Sequence, residues 1–183
     1  KFARHFHIPL QSASDLILEQ MQRGYRARNF VDLIERIYVK VPDCGIGTDV
    51  IAGFPGESDQ HFDMTFDCLT NLPITYLHPF TYSPRPGSQA QALGDQVPGD
   101  VKKRRTRSLK RLSRDKNFAF RARHVGIEMK VLLERDERTG FGKNGYTDNY
   151  LRVEVAPDNT RFGLQSVHMK DNTETGLIGE VVS

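Results

Sequence analysis

The segment Asp49-Val-Ile-Ala-Gly-Phe-Pro-Gly-Glu57 gives the clearest indication of how the first half of the chain folds. Its β-branched residues predict a strand that ends at Gly53, and the glycine- and proline-bounded turn after it leads into a helix. Gly53 and Gly56 let a ligand approach the backbone closely, since neither residue carries a Cβ atom. Glu57 places a carboxylate beyond the strand end, where it either faces a ligand or caps the next helix. An ordinary strand-to-helix turn would have the same composition.

Two more segments repeat this strand-and-turn pattern. Residues 6–12 form a short extended run that ends in Gln11 and Ser12. Residues 75–82 form another run, which Ser83-Pro-Arg-Pro-Gly87 closes. Ligands in parallel α/β folds bind at the carboxyl ends of the strands, and all three runs end in polar residues, glycine or arginine. The three strand ends therefore predict one shared ligand site.

Helical periodicity occupies the intervals between these runs. Apolar residues recur at helical spacing over residues 15–21 and again over 30–38, and Pro42 closes the second segment. A further helix covers residues 62–69 and has Ser58 as its candidate N-cap. The order strand, helix, strand, helix, strand predicts a parallel α/β architecture for the first half of the chain.

Three motifs taken together resemble one enzyme family. They are His7-Ile-Pro-Leu-Gln-Ser-Ala-Ser-Asp15, Thr48-Asp-Val-Ile-Ala-Gly-Phe-Pro-Gly-Glu57 and Pro79-Phe-Thr-Tyr-Ser-Pro-Arg-Pro-Gly87. In order and spacing they are similar to the fourth, fifth and sixth strand motifs of the radical S-adenosylmethionine methylthiotransferases. These enzymes insert sulfur and a methyl group into an unactivated C–H bond of a tRNA base or a ribosomal protein. The resemblance covers essentially the whole chain, as the C-terminal half of such a protein.

The resemblance implies an α/β fold class with two parts. The C-terminal half of a partial (βα)6 radical S-adenosylmethionine barrel is followed by a small antiparallel β-barrel, the TRAM domain, related in kind to the oligonucleotide-binding (OB) barrels. The expected domains are residues 1–95 for the end of the first barrel, 96–123 for a basic linker helix and 124–183 for the TRAM barrel. We expect the chain to be a piece of a longer protein.

The cofactors that the resemblance implies are S-adenosylmethionine and 4Fe-4S clusters. The expected cofactor contacts lie at the strand ends and comprise Gln11, Ser12, Asp49, Ile51, Gly53, Tyr82 and Ser83. In the family the clusters are bound by cysteine motifs that this chain lacks, and Cys44 and Cys68 are interpreted as reduced thiols. The chain alone should therefore be inactive, with no catalytic residue of its own.

No metal site is expected among the histidines either. His5 and His7 share a strand face, whereas His78 and His168 are isolated in the sequence. None of them has a cysteine or carboxylate at ligand spacing, which favours a structural role over metal binding.

Two segments between and after the motifs resemble one branch of the family. They are Leu72-Pro-Ile-Thr-Tyr-Leu-His-Pro-Phe80 and Gly145-Tyr-Thr-Asp-Asn-Tyr-Leu-Arg-Val153. That branch methylthiolates C2 of N6-threonylcarbamoyladenosine at tRNA position 37, so the implied partner is the tRNA anticodon stem-loop. The branch acting on isopentenyladenosine is the alternative. A branch that modifies a ribosomal-protein aspartate ranks last, because it usually has an acidic residue where Arg85 stands.

Residues 101–123 concentrate positive charge, with eleven Lys or Arg residues against one acidic residue. A helix is predicted here, with a narrow apolar stripe formed by Val101, Leu109, Leu112 and Ala119. Its other positions would form a basic ridge that contacts RNA phosphates, including Arg104, Arg105 and Arg107. A solvated linker helix is the alternative interpretation.

The last part of the chain has the pattern of a small barrel. Short strand-like runs cover residues 128–134, 150–155, 166–170 and 176–182, separated by turn residues. Aromatic residues for base stacking and basic residues for phosphate contact gather around the glycine-rich loop at 139–145. With Arg85 from the first half, the candidate RNA contacts are Lys143, Asn149, Tyr150 and Arg152, beside Phe141. A half-buried core position fits Tyr150 equally well.

Composition limits the remaining function classes. With 183 residues, of which 38% are hydrophobic and 27% charged, the chain is long enough for one medium domain or two small ones. It has no apolar run that could span a membrane and no signal-like start, which predicts a cytoplasmic protein. A non-catalytic RNA-binding adaptor is an alternative. An unrelated βα enzyme of the aldolase kind is another, but it would need a lysine or a carboxylate pair at the strand ends.

Overall fold

The computed structural model describes residues 2–84, 87, 89–135, 137, 142–156 and 161–182. The chain divides into two compact units. The sheet unit consists of Phe6–Pro42 and Ile46–Asp115, and the barrel unit consists of Lys1–His5, Asp43–Gly45 and Lys116–Ser183.

Three parallel strands form the sheet, in the order β1 (His5–His7), β2 (Gly45–Ala52) and β3 (Tyr76–Thr81). In the β2–β3 pair, Asp49 lies opposite His78. Beyond β1 the chain continues alongside β2 and makes a parallel bridge from Gln11 to Val50. The parallel strand arrangement predicted from the sequence is therefore present, although β2 begins before the predicted β-branched run.

Side-chain caps begin two of the helices of the sheet unit. The helices are α1 (Asp15–Gln20), α2 (Ala27–Lys40) and α3 (Asp59–Asn71). Ser14 accepts a hydrogen bond from the backbone of Ile17, and Ser58 accepts one from His61, so each serine satisfies a free amide of the first turn. The predicted cap at Ser58 is confirmed.

A short helix, α4 (Gln89–Ala92), lies where the sequence predicts only a connection. It is followed by the long basic helix α5 (Gly99–Ala122). Leu109 of α5 is fully buried, and the Ser113 hydroxyl donates to the carbonyl of Leu77 and accepts from its amide. Ala119 is exposed, so the predicted apolar stripe does not include it. Among the described residues, no helix combines the length and the apolar character that crossing a membrane requires.

The barrel unit contains a closed five-stranded β-barrel. Its strands are β4 (Glu128–Arg135), β5 (Gly142–Thr147), β6 (Arg152–Val155), β7 (Gly163–Asn172) and β8 (Leu177–Val181), which pair around the barrel in the order β4-β5-β6-β8-β7. The prediction of a wholly antiparallel barrel is wrong for one pair, because β6 and β8 are parallel. This barrel is compatible with a TRAM or OB-like domain.

Alternating residues of these strands fill the barrel. Val131, Val153, Val167, Met169 and Leu177 are fully buried and form one cluster with four other buried residues. Strict alternation along each strand is what places such residues inside and leaves their neighbours facing outward.

A buried polar network closes one side of the barrel unit. Asn149 donates through Nδ2 to the carbonyl of Asp43 (2.9 Å) and approaches Nε2 of His124 (3.1 Å), while its Oδ1 accepts from the Thr147 hydroxyl. His124 Nδ1 lies 2.9 Å from the carbonyl of Phe120. A carbonyl only accepts, so Nδ1 carries the proton and Nε2 accepts from Asn149. The network therefore requires neutral His124.

Burial lowers the pKa of His124 below its ordinary value, because the charged form is desolvated. The unfolded chain consequently binds more protons than the folded chain as pH falls through the ordinary histidine range near 6.5. The contribution of His124 to the free energy of unfolding should therefore be greatest above about pH 6.5. As pH falls, this contribution should decrease until the pH lies below the folded-state pKa of His124. Urea denaturation across a pH series measures this dependence.

The variant His124→Gln removes the titrating group, so its unfolding free energy should depend less steeply on pH between 7.5 and 5. His168→Gln, at a histidine outside the network, serves as the matched control and should keep the slope of the parent chain. Equal slopes for all three proteins would show that His124 does not carry this pH dependence.

Candidate functional site

A cavity of about 490 Å³ lies at the carboxyl ends of the three parallel strands. This volume is in the range of small-molecule and cofactor sites. Five of the seven predicted cofactor contacts line it, namely Gln11, Asp49, Ile51, Tyr82 and Ser83. Four other residues line it that were not predicted from the sequence, namely Arg23, Phe80, Thr81 and Ala90.

Strand alternation selects the side chains that reach the cavity. Thr48 and Val50 of β2 are fully buried on the other face of the strand, whereas Asp49 and Ile51 line the cavity. Phe80 lies opposite Ile51 in the β2–β3 register, which explains its place in the lining. This position could have been found from the sequence by extending the period of two along residues 75–82.

Gln11 reaches the cavity through an unusual backbone conformation. Its φ of +66° lies in the left-handed region, which non-glycine residues rarely adopt. Two backbone hydrogen bonds hold it there, from its amide to the carbonyl of Asp49 and from the amide of Ile51 to its own carbonyl. The chain thus leaves the sheet at Gln11 with the side chain fixed at the cavity.

Tyr82 supplies a polar group that no other described residue contacts through a hydrogen bond. Its hydroxyl oxygen is buried and has no hydrogen-bond partner among the described residues. The ring packs edge-on against Phe54, and the ammonium of Lys102 lies 4.9 Å from the ring centroid. A buried hydroxyl normally has a partner, so a bound molecule with a polar group fits this cavity.

Two predicted cofactor contacts do not line the cavity. Ser12 is buried, and its hydroxyl lies 3.3 Å from that of Thr65, so its side chain serves the interior. At Gly53 the φ is +80°, and an added Cβ atom would lie 2.3 Å from Cγ of Lys102. Gly53 is thus needed for the turn and for packing against Lys102, which differs from the predicted approach of a ligand.

Glu57, Arg105 and Asp59 form an ion-pair network next to the turn after β2. The Glu57 carboxylate accepts from the amide of Gly53 and from Nη1 of Arg105 at 2.7 Å, and Nη2 of Arg105 donates to Asp59, also at 2.7 Å. Burial raises the pKa of Glu57, while the hydrogen bond from Gly53 and the charge of Arg105 oppose that rise. Hydrogen bonding to Arg105 lowers the pKa of Asp59. Glu57 therefore holds the turn and does not face a ligand.

Arg105 is only 4% exposed, so its predicted place on an RNA-contacting ridge is wrong. The reason is its pairing with Glu57, a residue far away in the sequence. The other two predicted ridge residues, Arg104 and Arg107, are exposed.

We define the basic ridge as the exposed cations of α5 within the sheet unit, which are Lys103, Arg104, Arg107, Lys110, Arg111 and Arg114. Their spacing of three and four residues places them along one side of the helix. Arg104 lies 4.0 Å from Asp59. In the described part of the chain, the other five ridge residues form no ion pair. The ridge is therefore available to a polyanion.

In the barrel unit, three aromatic rings form a stack. The centroids of Tyr150 and His5 are 4.4 Å apart, and those of Tyr150 and Tyr146 are 4.9 Å apart, with both pairs nearly parallel. Tyr150 is 55% exposed, which excludes the alternative of a core position. We call these residues the aromatic stack; His5 and Tyr146 are half-buried, and an exposed ring such as that of Tyr150 is a usual contact for nucleic-acid bases.

The other predicted RNA contacts of the barrel have different surroundings. Lys143 and Arg152 are half-buried, and Arg152 donates to the carbonyl of Thr175 and the side chain of Asn144. Asn149 is almost fully buried in the polar network, so its prediction as an RNA contact is wrong. Arg85 and Phe141 lie outside the described residues.

The residues present do not fit an iron–sulfur cluster. Cys44 is buried and Cys68 is partly buried, and burial raises the pKa of both thiols, which disfavours the thiolate that a cluster needs. Among the described residues, the one group of three potential metal ligands consists of His7, Asp49 and His78 and contains no cysteine.

Known proteins match this chain over most of its length. A threonylcarbamoyladenosine tRNA methylthiotransferase, MtaB, from Aquifex aeolicus is 39% identical over 153 residues, which are 84% of this chain and 36% of that protein. The protein of the same name from Thermotoga maritima is 36% identical over 95% of this chain and 40% of its own length. A tRNA-2-methylthio-N(6)-dimethylallyladenosine synthase from Maricaulis maris is 35% identical over 99% of this chain and 37% of its length.

The chain thus spans about two fifths of the length of the curated relatives it matches. No protein-family model matches it.

The Arg105–Glu57 pair should contribute strongly to stability. Replacing Arg105 by Met leaves the Glu57 carboxylate buried without its partner, which should lower the free energy of unfolding by about 3–5 kcal/mol. Urea denaturation of Arg105→Met and of the exposed ridge variant Arg107→Met provides the comparison, and Arg107→Met should change stability by less than about 0.5 kcal/mol.

A double variant tests the assigned cause. If the loss comes from the unpaired carboxylate, Glu57→Gln combined with Arg105→Met should be more stable than Arg105→Met alone. A double variant as unstable as the sum of the two single changes would contradict this account.

Proposed function

This chain belongs to the radical S-adenosylmethionine methylthiotransferase family, and we propose that it forms the C-terminal part of an enzyme that methylthiolates a tRNA base. In this proposal the sheet unit is the end of the radical S-adenosylmethionine barrel, and the barrel unit is the TRAM domain. The proposed substrate is N6-threonylcarbamoyladenosine at position 37 of the anticodon stem-loop.

The observation that carries this proposal is the cavity at the three strand ends. Its volume suits a nucleoside-sized cofactor, and the buried Tyr82 hydroxyl lacks a partner among the described residues. When bound, S-adenosylmethionine supplies the radical chemistry and the methyl group. The task of the protein residues is to bind and orient it: Gln11 and Ser83 offer hydrogen bonds, while Ile51 and Phe80 offer apolar contact.

The iron–sulfur chemistry of the family must come from ligands other than the two cysteines of this chain. Both thiols are shielded by burial, and neither stands in a group of potential metal ligands within the described residues. We therefore propose that the reaction requires cluster-binding residues that this chain does not supply.

Two surfaces that suit RNA, one basic and one aromatic, support the proposed substrate class. The basic ridge offers six exposed cations for phosphates, and the aromatic stack offers an exposed ring for a base. The relatives named as threonylcarbamoyladenosine enzymes favour that nucleoside. The relatives named as dimethylallyladenosine synthases support the isopentenyladenosine nucleoside as the second candidate.

Anticodon stem-loop RNA should bind this chain with a steep dependence on salt. In the charge-reversed variant Arg104→Glu/Arg107→Glu/Arg111→Glu, we expect weaker binding and a slope of log K against log salt that is smaller by about two to three, since each lost phosphate contact releases one counterion fewer. Fluorescence anisotropy across a salt series measures both quantities, with stem-loops that carry adenosine, threonylcarbamoyladenosine or isopentenyladenosine.

The matched control reverses three exposed cations of α2, Arg28, Arg36 and Lys40, and so changes the net charge equally. If it weakens binding as much as the ridge variant, the effect is one of net charge and the ridge is not a specific RNA surface. Tighter binding of the threonylcarbamoylated loop supports the proposed nucleoside, and tighter binding of the isopentenylated loop supports the second candidate.

The aromatic stack should contribute through base stacking. Tyr150→Ala should weaken binding of the stem-loop by about 1–3 kcal/mol, with little change in the salt slope, because no charge is lost. Tyr150→Phe keeps the ring and should bind as the parent chain does. Leu164→Ala removes another exposed apolar side chain of the barrel and serves as control. Unchanged binding of Tyr150→Ala would exclude the stack from the RNA surface.

A further inference from the structure

Side chains from three neighbouring strands converge on one face of the sheet. Nε2 of His7 lies 2.9 Å from Oδ1 of Asp49, and Nδ1 of His78 lies 3.5 Å from the same oxygen. One potential ligand atom from each of the three residues lies within 4.8 Å of the other two. We call this group the His-Asp-His cluster.

The parallel pairing explains why residues so distant in the sequence meet. Asp49 and His78 are direct partners in the β2–β3 register. On the other side of β2, the amide of Ile8 donates to the carbonyl of Gly47, which fixes His7 beside Asp49. Because all three side chains start from paired backbone, their positions do not depend on a flexible loop.

The two distances to Asp49 are close to the spacing of ligand atoms on one transition-metal ion. Bonds of about 2 Å from a tetrahedral ion to imidazole nitrogen and carboxylate oxygen place neighbouring ligand atoms about 3.3 Å apart. The two distances to Asp49, 2.9 Å and 3.5 Å, lie on either side of that value. Two imidazoles and one carboxylate also form the ligand set used by many zinc and iron(II) sites.

The surroundings of the cluster support this assignment. The Tyr76 hydroxyl lies 3.5 Å from Nδ1 of His7, where it can orient the ring and leave Nε2 directed toward Asp49. Asp49 also lines the cavity at the strand ends, so the cluster borders a space from which water or a ligand can complete the coordination.

We propose that His7, Asp49 and His78 bind one divalent transition-metal ion of the zinc or iron(II) class, with its open coordination positions facing the cavity. This site lies outside the cysteine-bound clusters of the proposed function, since it uses no thiolate. It requires neither RNA binding nor S-adenosylmethionine binding, so either proposal can fail without the other.

Cobalt(II) is a suitable probe, because its visible absorption reports the number and type of its ligands. Titration of the tag-free chain with Co²⁺ should give one bound ion per chain, with bands of four- or five-coordinate geometry that added Zn²⁺ abolishes. His78→Ala and Asp49→Asn should each weaken Co²⁺ binding by more than about 100-fold. This loss exceeds what is usual when a residue that only hydrogen-bonds to a metal ligand is removed. His168→Ala, at a histidine outside the cluster, should bind Co²⁺ as the parent chain does.

Thermal unfolding gives a second readout that also reveals whether the variants fold. Zn²⁺ should raise the Tm of the parent chain and of His168→Ala, since it binds the folded state, but not the Tm of His78→Ala. Absence of the cobalt bands from the parent chain, or equal Zn²⁺ effects in His78→Ala and the parent, would overturn the proposal and leave the cluster as a hydrogen-bonded group.

Discussion

Parallel pairing of β1, β2 and β3 is the constraint on which the candidate site depends. It brings three carboxyl strand ends to one edge and so creates the cavity. Its register also sets Asp49 opposite His78 and Ile51 opposite Phe80. Since side chains alternate along each strand, a shift of one residue would turn these groups to the buried face. The cavity lining and the His-Asp-His cluster are therefore two consequences of one register.

The cations of α5 have two roles: Arg105 is buried in an ion-pair network, whereas those of the basic ridge lie on the surface. Arg105 turns inward, where its two terminal nitrogens donate to the carboxylate and carbonyl of Glu57 and to the carboxylate of Asp59. Such an arginine is retained only with partners in place, because an isolated buried charge is strongly unfavourable. The neighbouring cations Arg104 and Arg107 are exposed, because they lie at other positions around the helix. Helical position, more than the number of charges, thus decides which cations remain on the surface.

Local patterns predicted most of the elements, because caps, periodicity and turns act within a few residues; the exceptions are β5, which covers part of the predicted glycine-rich loop, and α4, which covers part of a predicted connection. Ser58 caps α3 as expected, and the basic segment forms one continuous helix. Failures came where distant residues decide the outcome. Arg105 pairs with Glu57, 48 residues away, and Asn149 bonds to Asp43, 106 residues away. No sequence spacing reveals the His-Asp-His cluster, since only strand pairing brings its members together.

Asn149 links the interior of the barrel unit to its surface, because its buried hydrogen bonds position the exposed residue that follows it. The next residue, Tyr150, has a φ of +66°, a left-handed conformation that costs free energy for a residue with a side chain. The buried bonds of Asn149 to Thr147 and Asp43, together with the bond from the amide of Tyr150 to the Thr147 carbonyl, hold the chain in that conformation. The strained residue carries the exposed ring that contacts both His5 and Tyr146. A ring that the interior holds in place in this way loses little freedom when a ligand contacts it, which lowers the entropic cost of binding.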